Sequence, residues 1–123
     1  MKITIYGIVV KGFGEGSYYV RLYSGLFQKY LGITPYPGTL NIYVNTDLSR
    51  ILPLDKALVI PPPRNDLGEV YVFKALLNNY PVYVIRPSKT RHDWRIVEVV
   101  SDRYLRDLLG LRDGDRVKLT ILI

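Results

Sequence analysis

The sequence predicts a small, mainly β barrel carrying two short helices, and three observations predict it. Alternating apolar and polar runs rich in Val, Ile and Tyr recur between clusters of Gly, Pro, Asn and Asp, the pattern of half-buried strands joined by turns. Only two stretches space their apolar residues for a helix and then end on glycine. The 123 residues, 48% of them hydrophobic and eleven of them Tyr, suffice for one packed core. Residues 1–123 are accordingly read as a single domain.

The first strand is predicted over residues 3–10. It leads into Lys11, Gly12, Phe13, Gly14, Glu15, Gly16 and Ser17. Glycines at alternate positions permit positive φ and let backbone N–H groups approach an anion such as a nucleotide's phosphates; a glycine-rich hairpin turn accounts for the same run. Residues 18–23, Tyr-Tyr-Val-Arg-Leu-Tyr, alternate and are rich in aromatic and β-branched side chains, so a second strand is expected there. That expectation argues against a dinucleotide fold, which needs a helix after its glycines, and no GxxxxGK[ST] run exists for a P-loop. Ser24 then caps the first predicted helix, with Leu26, Phe27, Tyr30 and Leu31 as its apolar stripe and Gly32 as its stop.

Residues 34–42, Thr-Pro-Tyr-Pro-Gly-Thr-Leu-Asn-Ile, form a turn that two prolines hold in one shape. On the strand that follows, alternation puts Thr39 and Asn41 on one face and turns Leu40 and Ile42 toward the core. Two neutral oxygens side by side suit a hard cation such as Mg²⁺, which keeps much of its water and draws further ligands from phosphates. A plain proline-rich turn before a strand would carry the same residues.

Residues 45–67 contain Pro53 and Pro61-Pro62-Pro63 and read as a loop in which 57–60 can pair as a short edge strand. Gly68 opens a strand through Val70, Val72 and Ala75, Asn78-Asn79 turns the chain, and 81–85 returns. The polar segment 86–93 leads to a strand over 94–100, where Glu98 is a lone carboxylate among apolar residues. An inward carboxylate must be paired, hydrogen-bonded or protonated. Ser101 or Asp102 caps the second predicted helix, whose stripe is Tyr104, Leu105, Leu108 and Leu109 before Gly110, and Asp113-Gly114 turns into a last strand over 117–123. His92, the sole histidine, has no partner legible in the sequence, and Trp94 is expected to pack in the core or over a ligand.

A formal charge of +6 and a pI near 9.6 imply an anionic partner. The absence of cysteine leaves no disulfide framework and no thiolate metal site, which suits a reducing interior or a heat-adapted protein. The apolar stretch after Lys2 is short and broken by Tyr6 and Gly7, too short for a signal peptide or a membrane span. A cytoplasmic location without membrane association is expected.

The order Gly12-Phe13-Gly14-Glu15-Gly16, then 34–41, then Pro87-x-x-Thr90, Val97-Glu98-Val99-Val100, Leu105-Arg106-Asp107 and Asp113-Gly114-Asp115 resembles the archaeal CTP-dependent riboflavin kinases along nearly the whole chain. The resemblance implies a six-stranded cradle-loop β-barrel that phosphorylates riboflavin to FMN, with CTP becoming CDP and Mg²⁺ as cofactor. It implies Mg²⁺ on Thr39 and Asn41. Nucleotide contacts are implied at Lys11, Gly12, Phe13, Gly14, Glu15 and Gly16 and at Arg103, Tyr104, Leu105 and Arg106; flavin contacts are implied at Thr90 and Glu98. Glu98 is the candidate general base on the 5′-hydroxyl, or else orients the substrate. Many members carry an N-terminal helix-turn-helix domain, and this chain is expected to lack one. Leu67-Gly68, Lys89 and His92 depart from the family's usual residues and bear on flavin stacking.

Two rival readings stand beside this one. A basic, tyrosine-rich barrel can bind nucleic acid, although the basic residues are scattered rather than clustered and no nucleic-acid partner is expected. A flavin- or nucleotide-binding domain without turnover is the other. A monomer is favoured.

Overall fold

Alternation builds the sheet, as the side-chain period of two requires. The computed structural model describes residues 1–123. Strand β1 (Lys2–Val10) buries Ile5 and Val9 while Tyr6 stays outside, and β2 (Leu40–Val44) buries Leu40, Ile42 and Val44. The others are β3 (Leu58–Ile60), β4 (Val70–Leu77), β5 (Tyr80–Pro87), β6 (Ile96–Val100) and β7 (Arg116–Leu122). They pair antiparallel in the order β3-β4-β5-β6-β2-β1-β7. The order then closes on itself, because β7 also pairs with β4 through Ala75↔Ile121, Leu76↔Thr120 and Leu77↔Leu119. Six strands therefore form a barrel-like ring. The seventh, β3, sits on β4 through Leu58↔Val72 and Ile60↔Val70, the edge strand expected near 57–60.

Two cores lie on opposite faces of this ring. Inside it Val9, Ile42, Leu77, Val84, Val99, Leu119 and Ile121 interlock, joined by Leu48 and Leu52 from the loop and by Leu105 and Leu111. Outside it Ile60, Val70, Val72, Ile85 and Val100 are covered by Val20, Tyr23 and Phe27. Burying a side chain such as Phe27, 1% exposed, stabilises by roughly 1.5–3 kcal/mol.

Those three covering residues correct the sequence reading. No strand spans 18–23. Helix α1 (Gly16–Leu31) runs through it for 16 residues. Val20, Tyr23 and Phe27 are spaced three and four apart and so share one helical face, while Tyr18 and Tyr19 remain exposed. Ser24 is mid-helix and caps nothing. The stop at Gly32 holds: φ is 71° and its N–H donates to the Gln28 carbonyl at 3.0 Å. The chain therefore does run strand, glycines, helix, and what separates it from a dinucleotide fold is the antiparallel sheet.

The second helix, by contrast, is shorter than expected. Helix α2 (Leu105–Leu108) is a single turn with no side-chain cap; the Ser101 hydroxyl instead accepts the Arg103 N–H at 3.2 Å, bending the chain before the helix begins. Gly110 at φ 64° follows it. Asn78 and Asn79, at φ 47° and 70°, make the two-residue left-handed turn that a tight hairpin needs. Strand β6 starts at Ile96, two residues later than predicted. No helix is long and apolar enough to cross a membrane.

Candidate functional site

One row of residues crosses the outer face of the sheet in register: Val10↔Asn41, Asn41↔Glu98, Glu98↔Ile85 and Ile85↔Val72. The polar pair in this row is flanked on both sides by apolar residues. Helix α1 lies over the apolar end, and a cavity of about 510 Å³ opens between helix and sheet. Its floor holds Asn41, Glu98, Val70 and Ile85; its walls are the glycine run 11–16, Val20, Tyr23 and Phe27 of α1, and the loop after β5 from Lys89 to His92.

Glu98 is not an inward residue of the barrel. Its neighbours Val97 and Val99 fill the interior, so Glu98 faces out, into the cavity. Burial there pushes its carboxyl above the ordinary range, against a hydrogen bond from Thr39 and the nearby Arg86 guanidinium, which both lower it. Thr39 Oγ1 donates to Glu98 Oε1 at 3.3 Å. With its hydrogen turned to Glu98, the Thr39 oxygen keeps its lone pairs for another partner.

Asn41 is 6% exposed, and its Oδ1 is buried without any hydrogen-bond partner. An orphaned buried acceptor costs on the order of 1–3 kcal/mol. A hard cation would satisfy it, and the donor set of neutral oxygens beside one carboxylate fits such an ion. No cluster of three His, Cys, Asp or Glu exists, so any metal held here must take much of its shell from water or a ligand.

The glycine run is built around these two residues. A Cβ on Gly12 would collide with the Asn41 amide nitrogen, and one on Gly16 would meet Thr39 Oγ1 at 2.9 Å. Gly14 alone in the run has positive φ, 81°, with open space around it. The alternate glycines thus serve close approach at two positions and conformation at one, rather than positive φ throughout. Gly16 begins α1, whose first-turn N–H groups have no partner within the helix.

Across the cavity mouth the two walls touch. Phe13 stacks on His92 with ring centroids 4.5 Å apart, the Arg91 guanidinium lies 4.6 Å from the Phe13 ring, and Arg91 also pairs with Glu15. His92 therefore has a partner after all. Its pKa is lowered by burial and then by Arg86, which favours the neutral ring. Thr90 reaches the cavity with its Oγ1 accepting the His92 N–H at 3.2 Å, so its own hydroxyl hydrogen is free to donate.

Arg103, Tyr104, Leu105 and Arg106 do not line this cavity. They form a second one of about 200 Å³ with Tyr36 and Pro37, and the two cavities share Gly38 and Thr39. Tyr36 and Tyr104 stack at 4.8 Å there; Arg106 pairs with Asp113 at 2.7 Å. Leu105, 4% exposed, belongs mainly to the core. Trp94 packs partly against the core, with the Arg86 guanidinium 4.0 Å from its ring centroid.

Sequence reasoning misses Val20 and Tyr23 as cavity wall because residues 18–23 read as a strand, and it misses Phe27, rightly expected on a helix, because no local pattern places that helix against the outer face of the sheet. It also missed Arg86, Arg91 and Tyr36. Tyr36 was legible as the residue held between two prolines, whereas nothing in the sequence pairs Arg91 with Glu15, 76 positions away.

The model of the CTP-dependent riboflavin kinase family, described as a domain of unknown function, DUF120, matches residues 9–121. A protein of Staphylothermus marinus named riboflavin kinase is 46% identical over 98% of this chain and 93% of its own length. Proteins of the same name from Thermococcus kodakarensis and Pyrobaculum islandicum are each 38% identical, over 98% and 100% of this chain. The chain spans 60% and 62% of those two relatives. With a family model matching nearly all of it and relatives at this identity along its length, the chain belongs to the CTP-dependent riboflavin kinase family.

Proposed function

We propose that this chain transfers the γ-phosphoryl group of CTP to the 5′-hydroxyl of riboflavin, giving FMN and CDP, with Mg²⁺ as cofactor. The observation that carries this reading is the junction at Thr39: a large, partly apolar cavity and a smaller one meet there, beside a buried oxygen of Asn41 that lacks a partner. A two-substrate transfer needs such a meeting point.

The base of CTP takes the smaller cavity, flanked by Tyr36, Tyr104 and the arginines 103 and 106. Its phosphates pass Thr39 into the larger cavity and meet Lys11, the backbone of the glycine run and the free N–H groups at the start of α1. The flavin ring lies on the apolar side formed by Val20, Phe27, Val70 and Ile85, and Thr90 donates to it. Thr39 and Asn41 would hold Mg²⁺, which supplies charge neutralisation to the transferring phosphates when bound. Glu98 accepts a hydrogen bond from the 5′-hydroxyl; as the O–H bond breaks, the proton passes to a Glu98 oxygen, or, where Glu98 only aims the attacking oxygen, to an oxygen of the transferred phosphoryl group. With no Walker lysine, the backbone and Lys11 provide the protein's share of phosphate binding.

Purified protein with riboflavin and Mg²⁺ is expected to form FMN chiefly from CTP rather than ATP, GTP or UTP, and to stop on addition of EDTA. Absence of FMN with every donor would overturn the reading. Asn41→Ala is expected to lose most turnover, on the order of 10²-fold or more, along with its response to Mg²⁺, while melting near the unsubstituted temperature. Near-normal turnover in that variant would remove the metal assignment.

A further inference from the structure

We infer that Arg86 is a positioning residue that shapes the flavin side of the cavity by closing the loop on which Thr90 sits. This rests on the proposed riboflavin kinase reading. The loop leaves β5 after Pro87, one residue beyond Arg86, and returns to the Arg86 side chain. Arg86 Nη1 donates to the Asp93 carbonyl at 2.9 Å, Nη2 donates to the His92 carbonyl at 3.0 Å, and the guanidinium plane lies over Trp94. Three successive residues are thereby held by one side chain.

Thr90 lies inside this closed loop with little freedom. Its N–H donates to the Pro87 carbonyl at 3.1 Å, and its hydroxyl oxygen accepts the His92 N–H at 3.2 Å. The direction of its free hydroxyl is consequently set by where residue 92 is held, and residue 92 is held by Arg86. His92 in turn carries the stack with Phe13 across the mouth. Arg86 itself does not line the cavity; apart from its charge near Glu98, which Arg86→Lys retains, it reaches the flavin side through the loop.

The contact needs arginine in particular. A planar fork with two parallel N–H donors spans two adjacent carbonyls and stacks on an indole at once; an ammonium on a flexible stem makes one such contact at a time. Part of the guanidinium's hydration is already lost, since burial lowers the Arg86 pKa. Truncation would therefore free the loop and leave the part-buried His92 carbonyl without its donor, while the exposed Asp93 carbonyl turns to water.

The test compares Arg86→Met and Arg86→Lys with the unsubstituted protein, well below the melting temperature. Riboflavin affinity is read by quenching of its fluorescence in the absence of nucleotide, and CDP affinity with Mg²⁺ by calorimetry. Both variants are expected to bind riboflavin about tenfold more weakly or worse, with a matching rise in KM for riboflavin. CDP affinity and KM for CTP should stay within about twofold of normal. Arg86→Lys, which keeps charge and stem, supplies the test should Arg86→Met fail to fold. Riboflavin affinity within twofold of normal in a folded Arg86→Lys, or equal losses for riboflavin and CDP, would overturn the inference while leaving the kinase reading intact. Failure of the unsubstituted protein to bind riboflavin would overturn both.

Discussion

A carboxylate placed beside Thr39 and Asn41 has to balance stability against use, and the burial of Glu98 sets that balance. Its folded-state pKa is raised, chiefly by burial, so the fold favours the protonated acid. The stabilising contribution is fully present below the unfolded carboxylate value near 4.3 and is lost as pH rises through the folded value. Glu98→Gln is accordingly expected to melt a few degrees higher than the unsubstituted protein at pH 7 and at the same temperature near pH 4. Thermal melts at the two pH values check this, and a variant less stable at pH 7 would contradict it. The same substitution separates the two roles left open for Glu98. Loss of a general base lowers turnover by about 10²–10⁴-fold, while loss of an orienting acceptor that glutamine can replace changes it little. The sequence made Glu98 conspicuous as the lone carboxylate of its strand, but not which way it faces: alternation fixes relative faces, and only the helix packed outside the ring makes the outer face a buried one. The pairing of Glu98 with Asn41 is likewise a property of register between β6 and β2, which no local pattern encodes.

Among the elements, the glycine run and α1 form one unit whose parts answer to different physics. Gly12 is required by the Asn41 side chain against it, and Gly14 by its backbone conformation. Gly12→Ala is therefore expected to displace Asn41 and to lose turnover by at least tenfold with the melting temperature little changed. Gly14→Ala, with space for its methyl but φ at 81°, is expected to cost about 1–2 kcal/mol of stability. Chemical denaturation and steady-state rates on the two variants would distinguish them, and the opposite pattern would undo this division. The misreading of α1 has a physical cause as well. Tyr18, Tyr19 and Tyr23 carry equal weight in a period-two pattern, yet two of them are exposed and one is 7% exposed against β3 and β4. Amphipathic tyrosines blur periodicity because their rings can face water at slight cost. The strands were legible because their buried residues are aliphatic and alternate, and the hairpin at 78–79 because adjacent asparagines tolerate left-handed backbone.

For the whole molecule, ring closure supplies rigidity and everything attached to its outer face supplies the site. Helix α1 with its glycine run and the loop closed by Arg86 border one cavity, and the glycine run meets that loop across the mouth through the Phe13–His92 stack and the largely exposed Arg91–Glu15 pair. An exposed ion pair contributes about 0–1 kcal/mol, so these walls are weakly joined until something fills the space between them. Substrates that touch several walls should therefore tie them together and stabilise the folded state by mass action. At a concentration about 100 times Kd the gain is roughly 2.7 kcal/mol, which for a chain of this length is on the order of 10 °C in Tm. CDP with Mg²⁺, and riboflavin, are each expected to raise Tm, and together to raise it further. The nucleotide's shift should shrink on adding EDTA and in Asn41→Ala. The formal charge of +6 gives any polyanion some affinity, so the same melts with a single-stranded oligonucleotide form the discriminating arm. A shift from exposed cations collapses between 50 and 200 mM salt, whereas one from an enclosed nucleotide site persists. Shifts of equal size and equal salt sensitivity for CDP and the oligonucleotide would favour a nucleic-acid surface over a kinase site.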